Sequence, residues 1–171
     1  YNPVTNSWSS RTSMPTTRYN PQAVTGPNGL IYVIGGNSQA GNAGSTALTT
    51  VEAYDPVHDT WTTKASLPVA EFVGAAVLDG GRIFVMGGDG ATGTLGTVQV
   101  YHPTANTWAL RRSLPTPRQS LAASVGSNGE IYAVGGSLNT AGAPTGTNEA
   151  ATLGNCRPTP TATPTMTKAA R

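Results

Sequence analysis

The side chains best suited to metal binding or nucleophilic chemistry are few: His58, His102 and Cys156 in 171 residues. A zinc or copper centre needs several His, Cys or carboxylate ligands converging on one point. His58 has Asp55 and Asp59 beside it, but aspartates at such positions also close turns, and both histidines are read as surface turn residues. A single cysteine makes neither an intrachain disulfide nor, alone, a metal site. Glu52, Gln99 and Glu149 recur at matching places on alternating segments. Retaining glycosidases need two carboxylates about 5 Å apart, and residues a whole repeat apart do not promise that, so these three are expected on a solvated outer face. No catalytic residue, metal ligand or cofactor is assigned. Arg18, Glu71 and Arg118 form a third set, each four residues beyond Met14, Leu67 and Leu114. A binding pocket lined by such Arg donors would suit carboxylates or acidic peptide side chains. Glu71 departs from the Arg pattern and could pair with a neighbouring Arg.

What positions these residues is a repeat. Tyr1-Asn2-Pro3 leads to Trp8, Tyr54-Asp55-Pro56 to Trp61, and Tyr101-His102-Pro103 to Trp108, at intervals of 53 and 47 residues. A period near 50 means one supersecondary unit stacked several times. Each unit continues with an apolar residue and Pro (Met14-Pro15, Leu67-Pro68, Leu114-Pro115). An Ala-rich apolar run follows, then a turn at Asn28-Gly29, Gly80-Gly81 or Asn128-Gly129. Next comes a strand ending in paired glycines: Gly35-Gly36, Gly87-Gly88, Gly135-Gly136.

Asn-Gly between two apolar runs predicts an antiparallel hairpin with a type I′ turn. Both runs are apolar at nearly every position, which predicts burial of both faces. The glycine pair marks a positive φ or a close backbone approach. The third strand (Thr50–Tyr54, Thr97–Tyr101) alternates and is expected half exposed. A Tyr-x-Pro turn leads into a fourth strand carrying the Trp. Four antiparallel strands of this kind make a propeller blade, with Tyr and Trp packing between blades. The loop before the third strand varies in length: 18 residues separate the second glycine from the Tyr in one unit and 13 in the next. Variable loops on a rigid scaffold are where binding surfaces are usually built; the absence of Trp, Tyr and Arg in these loops equally allows a spacer. The glycine pairs are not followed by the Lys and helix of a phosphate loop.

The glycine pairs, the Tyr seven positions before the Trp and the following Pro resemble the kelch repeat family, over about residues 1–153. The resemblance implies an all-β, kelch-type β-propeller, in which an Arg at the stations of Arg18 and Arg118 often stabilises loops or lines a ligand pocket. Kelch domains are most often six- or seven-bladed, bind proteins or glycans, and in a few cases are enzymes. The expected organisation is a fourth strand of a preceding or closing blade at 1–20, blades at 21–67 and 68–114, an incomplete blade at 115–154, and a Thr/Pro-rich linker or stalk at 155–171. Ala151 stands where the third Tyr belongs and no Trp follows, so the last blade lacks a fourth strand while the N-terminal segment offers a spare one. Propellers have about 4–8 blades. Further blades of a longer chain, or another copy, must finish the ring; the mid-motif start favours further blades.

Only 11% of residues are charged and the net charge is +2. That balance, without any Lys/Arg run, gives no nucleic-acid footprint. No 18-residue apolar window exists to span a membrane. The Thr/Pro alternation after Cys156 resembles exported stalks, which suggests an extracellular or cell-surface setting, with the cytoplasm as the alternative. The function expected is a non-catalytic protein- or glycan-binding module of a larger exported protein. Two alternatives are part of a kelch-like copper oxidase or sugar isomerase with its active residues elsewhere, and a structural spacer. The kelch-like copper oxidases would need two Tyr, two His and a Cys crosslinked to one Tyr, a set that does not assemble here.

Overall fold

The computed structural model describes residues 1–38 and 46–152. The described residues are all-β, without helix, in sheets that follow one another along the chain. The first sheet runs β1 (Gln22–Thr25), β2 (Ile31–Ile34), β3 (Val51–Asp55), β4 (Thr60–Thr63), each antiparallel to the next. The second runs β5 (Ala75–Asp79), β6 (Arg82–Met86), then, past the small hairpin β7 (Asp89–Gly90) and β8 (Gly93–Thr94), β9 (Val98–His102) and β10 (Thr107–Arg111). The third has three strands only: β11 (Ala122–Val125), β12 (Ile131–Val134) and β13 (Asn148–Ala151). The first strands β1, β5 and β11 lie side by side, as the inner strands of adjacent blades must. This is an arc of a propeller.

The core lies between blades. Tyr32, Ile34, Val51 and Ala53 of the first blade pack with Ile83, Val85 and Tyr101 of the second. Phe84, Met86 and Val100 then pack with Leu121, Ile131 and Ala133 of the third. Tyr101, fully buried, meets Tyr32 edge-on with ring centroids 5.5 Å apart, a geometry worth about 0.5–1.5 kcal/mol beyond the area buried.

Three local expectations are corrected. The inner strands are not buried on both faces: Ala23, Thr25, Ala122 and Ser124 are exposed, because an inner strand has one free edge toward the axis and only its neighbours on either side to cover it. The third strands are not half exposed: Val51, Glu52 and Ala53 are all buried, as are Gln99, Val100 and Tyr101. The type I′ turn forms only in the second blade, where Gly80 and Gly81 both have positive φ. In the first and third blades Gly29 N–H donates to Gly26 C=O and Gly129 N–H to Gly126 C=O, and only the glycine of the Asn-Gly pair is left-handed. Gly26-Pro27-Asn28-Gly29 is therefore a type I turn, for which Pro27 pre-sets φ.

One station repeats with a misfit. Asn20, Val73 and Ser120 all have φ between 51° and 53°. Asn tolerates this region, whereas a β-branched residue there is strained. The geometry is held because Val73 N–H donates to Asn20 C=O (3.2 Å) and Ser120 N–H to Val73 C=O (2.6 Å), blade to blade. Val73→Asn is expected to stabilise the chain by about 1 kcal/mol, read as a higher urea midpoint; an unchanged or lower midpoint would show that the lost apolar contacts outweigh the relief.

Candidate functional site

Both loop systems that leave the second and fourth strands emerge on the same face. Short bridges tie them together in each blade: Tyr19 with Asn37, Phe72 with Asp89, Gln119 with Ser137. Behind this face sit the polar stations singled out from sequence, and their contacts settle which way they point.

Arg18 donates from Nη1 to the Gly35 and Thr50 carbonyls (3.0 and 2.8 Å) and from Nη2 to Glu52. Thr16 Oγ1 donates to the other Glu52 oxygen at 2.8 Å. Arg118 repeats the arrangement, donating to Glu149 Oε2 and to the Ala133 carbonyl, both at 2.8 Å. Both Arg side chains are fully buried. Glu52 and Glu149 are thus internal counter-ions, not the solvated outer-face residues expected. In the second blade the pair is replaced: Glu71 takes the Arg station and Gln99 the Glu station. The Gln99 amide closes on the lead-in loop, accepting from Val69 N–H (2.8 Å) and donating to Val69 C=O (3.0 Å). With Gln99 neutral, no cation is stranded and no second carboxylate faces Glu71.

Glu71 therefore pairs with no Arg among the described residues. Its carboxyl is completely buried, and burial pushes its pKa up to about 8. The buried Gln22 amide meets its neighbours' needs when its nitrogen donates to Ile34 C=O (3.0 Å) and Glu71 Oε1 (2.8 Å), while its oxygen accepts from Val73 and Gly74 N–H. Buried and partnered in this way, Arg18, Glu71 and Arg118 do not present a pocket of free donors at the channel mouth. Arg18 and Arg118 fasten the lead-in loops of their blades to their own strands, whereas Glu71 meets Gln22 of the preceding blade and leaves Oε2 without a partner among the described residues.

His58 Nδ1 lies 2.6 Å from Asp55 Oδ2 within an exposed turn, and His58 and Val57 N–H groups both donate to Asp55 Oδ1. The hydrogen bond from His58 and those from the backbone hold the Asp55 carboxyl below its usual value. His102 ends β9, a blade away. Among the described residues no group of three His, Cys, Asp or Glu could hold a metal ion. Cys156 and the Thr/Pro segment lie outside the described residues.

The Tyr and Trp stations build a clamp that sequence spacing hinted at without specifying. Tyr54 OH donates to Asp59 Oδ1, which also accepts from Thr12 N–H, while Trp61 Nε1 donates to Thr12 C=O (2.6, 2.9 and 2.9 Å). Tyr101, Asn106 and Trp108 hold Ala65 identically (2.6, 2.9 and 2.8 Å). Each blade thus grips both backbone groups of a residue that follows the previous blade's fourth strand. Among the polar residues that reach solvent on the loop face (Asn20, Ser38, Ser120, Asn139) stand larger apolar ones: Tyr19 is 53% and Leu138 43% exposed, with Phe72 half-buried at the station matching Tyr19. Tyr19 and Phe72 directly follow the Arg18 and Glu71 stations and bridge to Asn37 and Asp89, the residues after the glycine pairs.

Four-stranded blades, fastened one to the next and offering loops on one face, define a propeller scaffold. The kelch-motif profile matches residues 18–68 and 74–115, just over half of the chain. The chain belongs to the kelch-repeat family. It is 32% identical over 90 residues to beta-scruin of Limulus polyphemus, covering 52% of this chain and 10% of that protein. It is 35% identical over 88 residues to an F-box/kelch-repeat protein of Arabidopsis thaliana, covering 52% of this chain and 22% of that protein. The chain spans a small fraction of the length of these relatives. Kelch repeats are typically protein-interaction modules, and no helix among the described residues is long and apolar enough to cross a membrane.

Proposed function

We propose that this chain is a non-catalytic protein-binding arc whose contact surface is the loop face around Tyr19 and Phe72. The carrying observation is that two aromatic side chains occupy matching stations on neighbouring blades, flanked by the loops of differing length. Aromatic anchors on a rigid frame supply contact area at little entropic cost. The charged groups of this face are internally paired or buried, so the partner it suits is a weakly charged protein segment instead of an acidic peptide. Glycan binding is the competing reading. Export to the cell surface is proposed from the composition of 155–171 alone, and fractionation of source cells tests it.

The test is binding with the face altered. Partners trapped by crosslinking to the wild-type chain are expected to be lost with Tyr19→Ala and Phe72→Ala and kept with Val57→Ala, which removes an exposed side chain from the opposite face. Loss with Val57→Ala and retention with the other two would overturn the assignment, as would binding on a glycan array that survives all three.

A further inference from the structure

The seam between the first and second blades is built differently from the seam between the second and third. In the second blade Glu71 takes the Arg station, Gln99 takes the Glu station, and Gly74 takes the place that Pro21 and Leu121 hold in the neighbouring blades. The first blade carries a matching exception: β1 begins with Gln22, where β5 and β11 begin with Ala75 and Ala122. These exceptions meet. The Gln22 nitrogen donates to Glu71 Oε1 at 2.8 Å, and its oxygen accepts from Val73 and Gly74 N–H at 3.2 and 2.9 Å. Ala75 has no side-chain group with which to repeat this toward the third blade.

The Glu71 carboxyl occupies space left by absent side chains. Its Oε2 lies against Gly74 and Gly88, and a Cβ on either residue would collide with it. That oxygen has no partner among the described residues. Around the carboxyl stand the neutral Gln22 amide of β1, the Ile34 C=O at the end of β2, Val73 and Gly74 ahead of β5, and Gly88 after β6. The charged side chains on these elements and the loops beside them are engaged elsewhere. Arg18 is held by Glu52 and Arg118 by Glu149. The buried Asp89 carboxylate accepts from Gly90 N–H at 3.2 Å. Asp79 and Arg82 lie at the far hairpin of β5 and β6, and the Tyr19 ring is exposed. Burial alone raises the Glu71 pKa. A neutral carboxylic acid fits this place; a carboxylate finds no cation there among the described residues and is stabilised only by reaching water.

The same short segment carries the loop face. Glu71 C=O accepts from Gly36 N–H (2.9 Å) and Glu71 N–H donates to Leu48 C=O (3.3 Å), both in the first blade. Phe72 is joined to Asp89 through both of its backbone groups (3.0 and 2.8 Å), and Val73 N–H also donates to Asn20 C=O (3.2 Å). Whatever displaces Glu71 from the seam therefore displaces Phe72 relative to Tyr19.

We propose that Glu71 is a pH-sensitive latch on the loop face. With its proton, the side chain closes the seam on Gln22 and holds Phe72 at the station matching Tyr19. Without it, the Glu71–Gly74 segment swings outward to hydrate the carboxylate, the bonds to Gln22 and Asn20 part, and the two aromatics no longer form one surface. The consequence for binding rests on the function proposed above; the opening itself does not. In water Glu71 releases its proton near 4.5, and in the closed seam near 8. The open form therefore gains on the closed one by about tenfold per pH unit between those values, and gains no more above them.

Amide hydrogen exchange of the 171-residue chain, resolved by NMR and compared with Glu71→Gln at each pH, tests this, because the intrinsic exchange rate cancels in the ratio. From pH 5 to pH 7 the wild-type to variant ratio at Phe72 is expected to grow by about a hundredfold. At pH 7 Phe72 is expected to open at least about ten times more often than the amides of the core strand β6, the mark of local instead of global opening. Gln22→Ala gives the first blade the residue found in the other two and removes the closing bond; it is expected to speed exchange at Phe72 about tenfold at pH 5. A ratio at Phe72 that stays flat with pH overturns the latch. So does opening at Phe72 no more frequent than in β6, or a Gln22→Ala variant with wild-type exchange. Crosslinked partners are expected to be captured at pH 5 and lost at pH 8.5 by the wild type, and kept at both by Glu71→Gln. Capture that ignores pH while exchange at Phe72 follows it counts against the binding face and leaves the latch standing.

Discussion

Replacing Glu71 by Gln is expected to make the protein more stable at neutral and mildly alkaline pH, and to flatten its dependence on pH. The carboxyl is buried with no cation beside it among the described residues, and its pKa is pushed from 4.5 up to about 8 by burial. In the unfolded chain Glu71 releases its proton near 4.5; in the folded chain it keeps the proton until about 8. Between those values the unfolded state binds fewer protons, so stability falls as pH rises, by about 1.4 kcal/mol per unit while the difference is complete. The contribution is fully present below 4.5 and is lost by about 8. Gln presents a neutral group of the same shape and still offers an oxygen to Gln22, so it escapes this penalty, roughly 3 kcal/mol at pH 7. Urea unfolding of both proteins at pH 5, 7 and 8 reads the effect as a midpoint difference that widens with pH. Parallel pH profiles for the two would show that Glu71 ionises normally and that its burial is relieved by some local opening.

The same station shows where reading a sequence succeeds and where it stops. The repeat made the glycine pairs, the Tyr–Trp pairs and the all-β blade legible, because each recurs at fixed spacing and each residue type has a narrow physical use. Gly87 could be read as a close approach since nothing but glycine serves there. Glu52 and Gln99 were misplaced for the opposite reason. A polar residue between two apolar ones in a strand signals a solvent face only if no partner comes from elsewhere in the chain. Here the partners are Arg18, 34 residues away, and the backbone of Val69, 30 residues away. Alternation carries no information about such distant pairings. The Arg118 and Arg18 stations were found, yet the choice between pocket and brace depends on side-chain direction, which the lead-in loop decides. Tyr19 and Phe72 went unnoticed because two aromatics one repeat apart look like core until the face they occupy is known. The gap left by Ala151 was visible as a broken pattern; its shape required the fold.

Gly87→Ala is expected to be among the most damaging single changes available in this chain. Gly87 has φ 66°, and a Cβ there would lie 2.5 Å from the Arg118 carbonyl oxygen and 2.8 Å from Leu121 Cδ2. Left-handed backbone alone costs an L-residue roughly 1–2 kcal/mol. Overpacking in a close-packed interior adds about 1–3 kcal/mol. Here the obstacle is a backbone oxygen fixed by its bond from Gly88 N–H at 2.9 Å, so relief means parting the second and third blades and losing that bond as well. The two terms come to about 2–5 kcal/mol before the lost bond is counted, a large share of the stability of an ordinary domain. Gly129→Ala provides the comparison: its φ is 79° and nothing lies within 4 Å, so it bears the backbone strain alone. Denaturant midpoints of the two variants separate the terms. If Gly129→Ala costs as much as Gly87→Ala, the glycine pair is there for its dihedral angle only and blade-to-blade crowding plays no part. A gap of two or more kcal/mol, by the overpacking estimate, places the requirement where the geometry does, at the seam between one blade and the next.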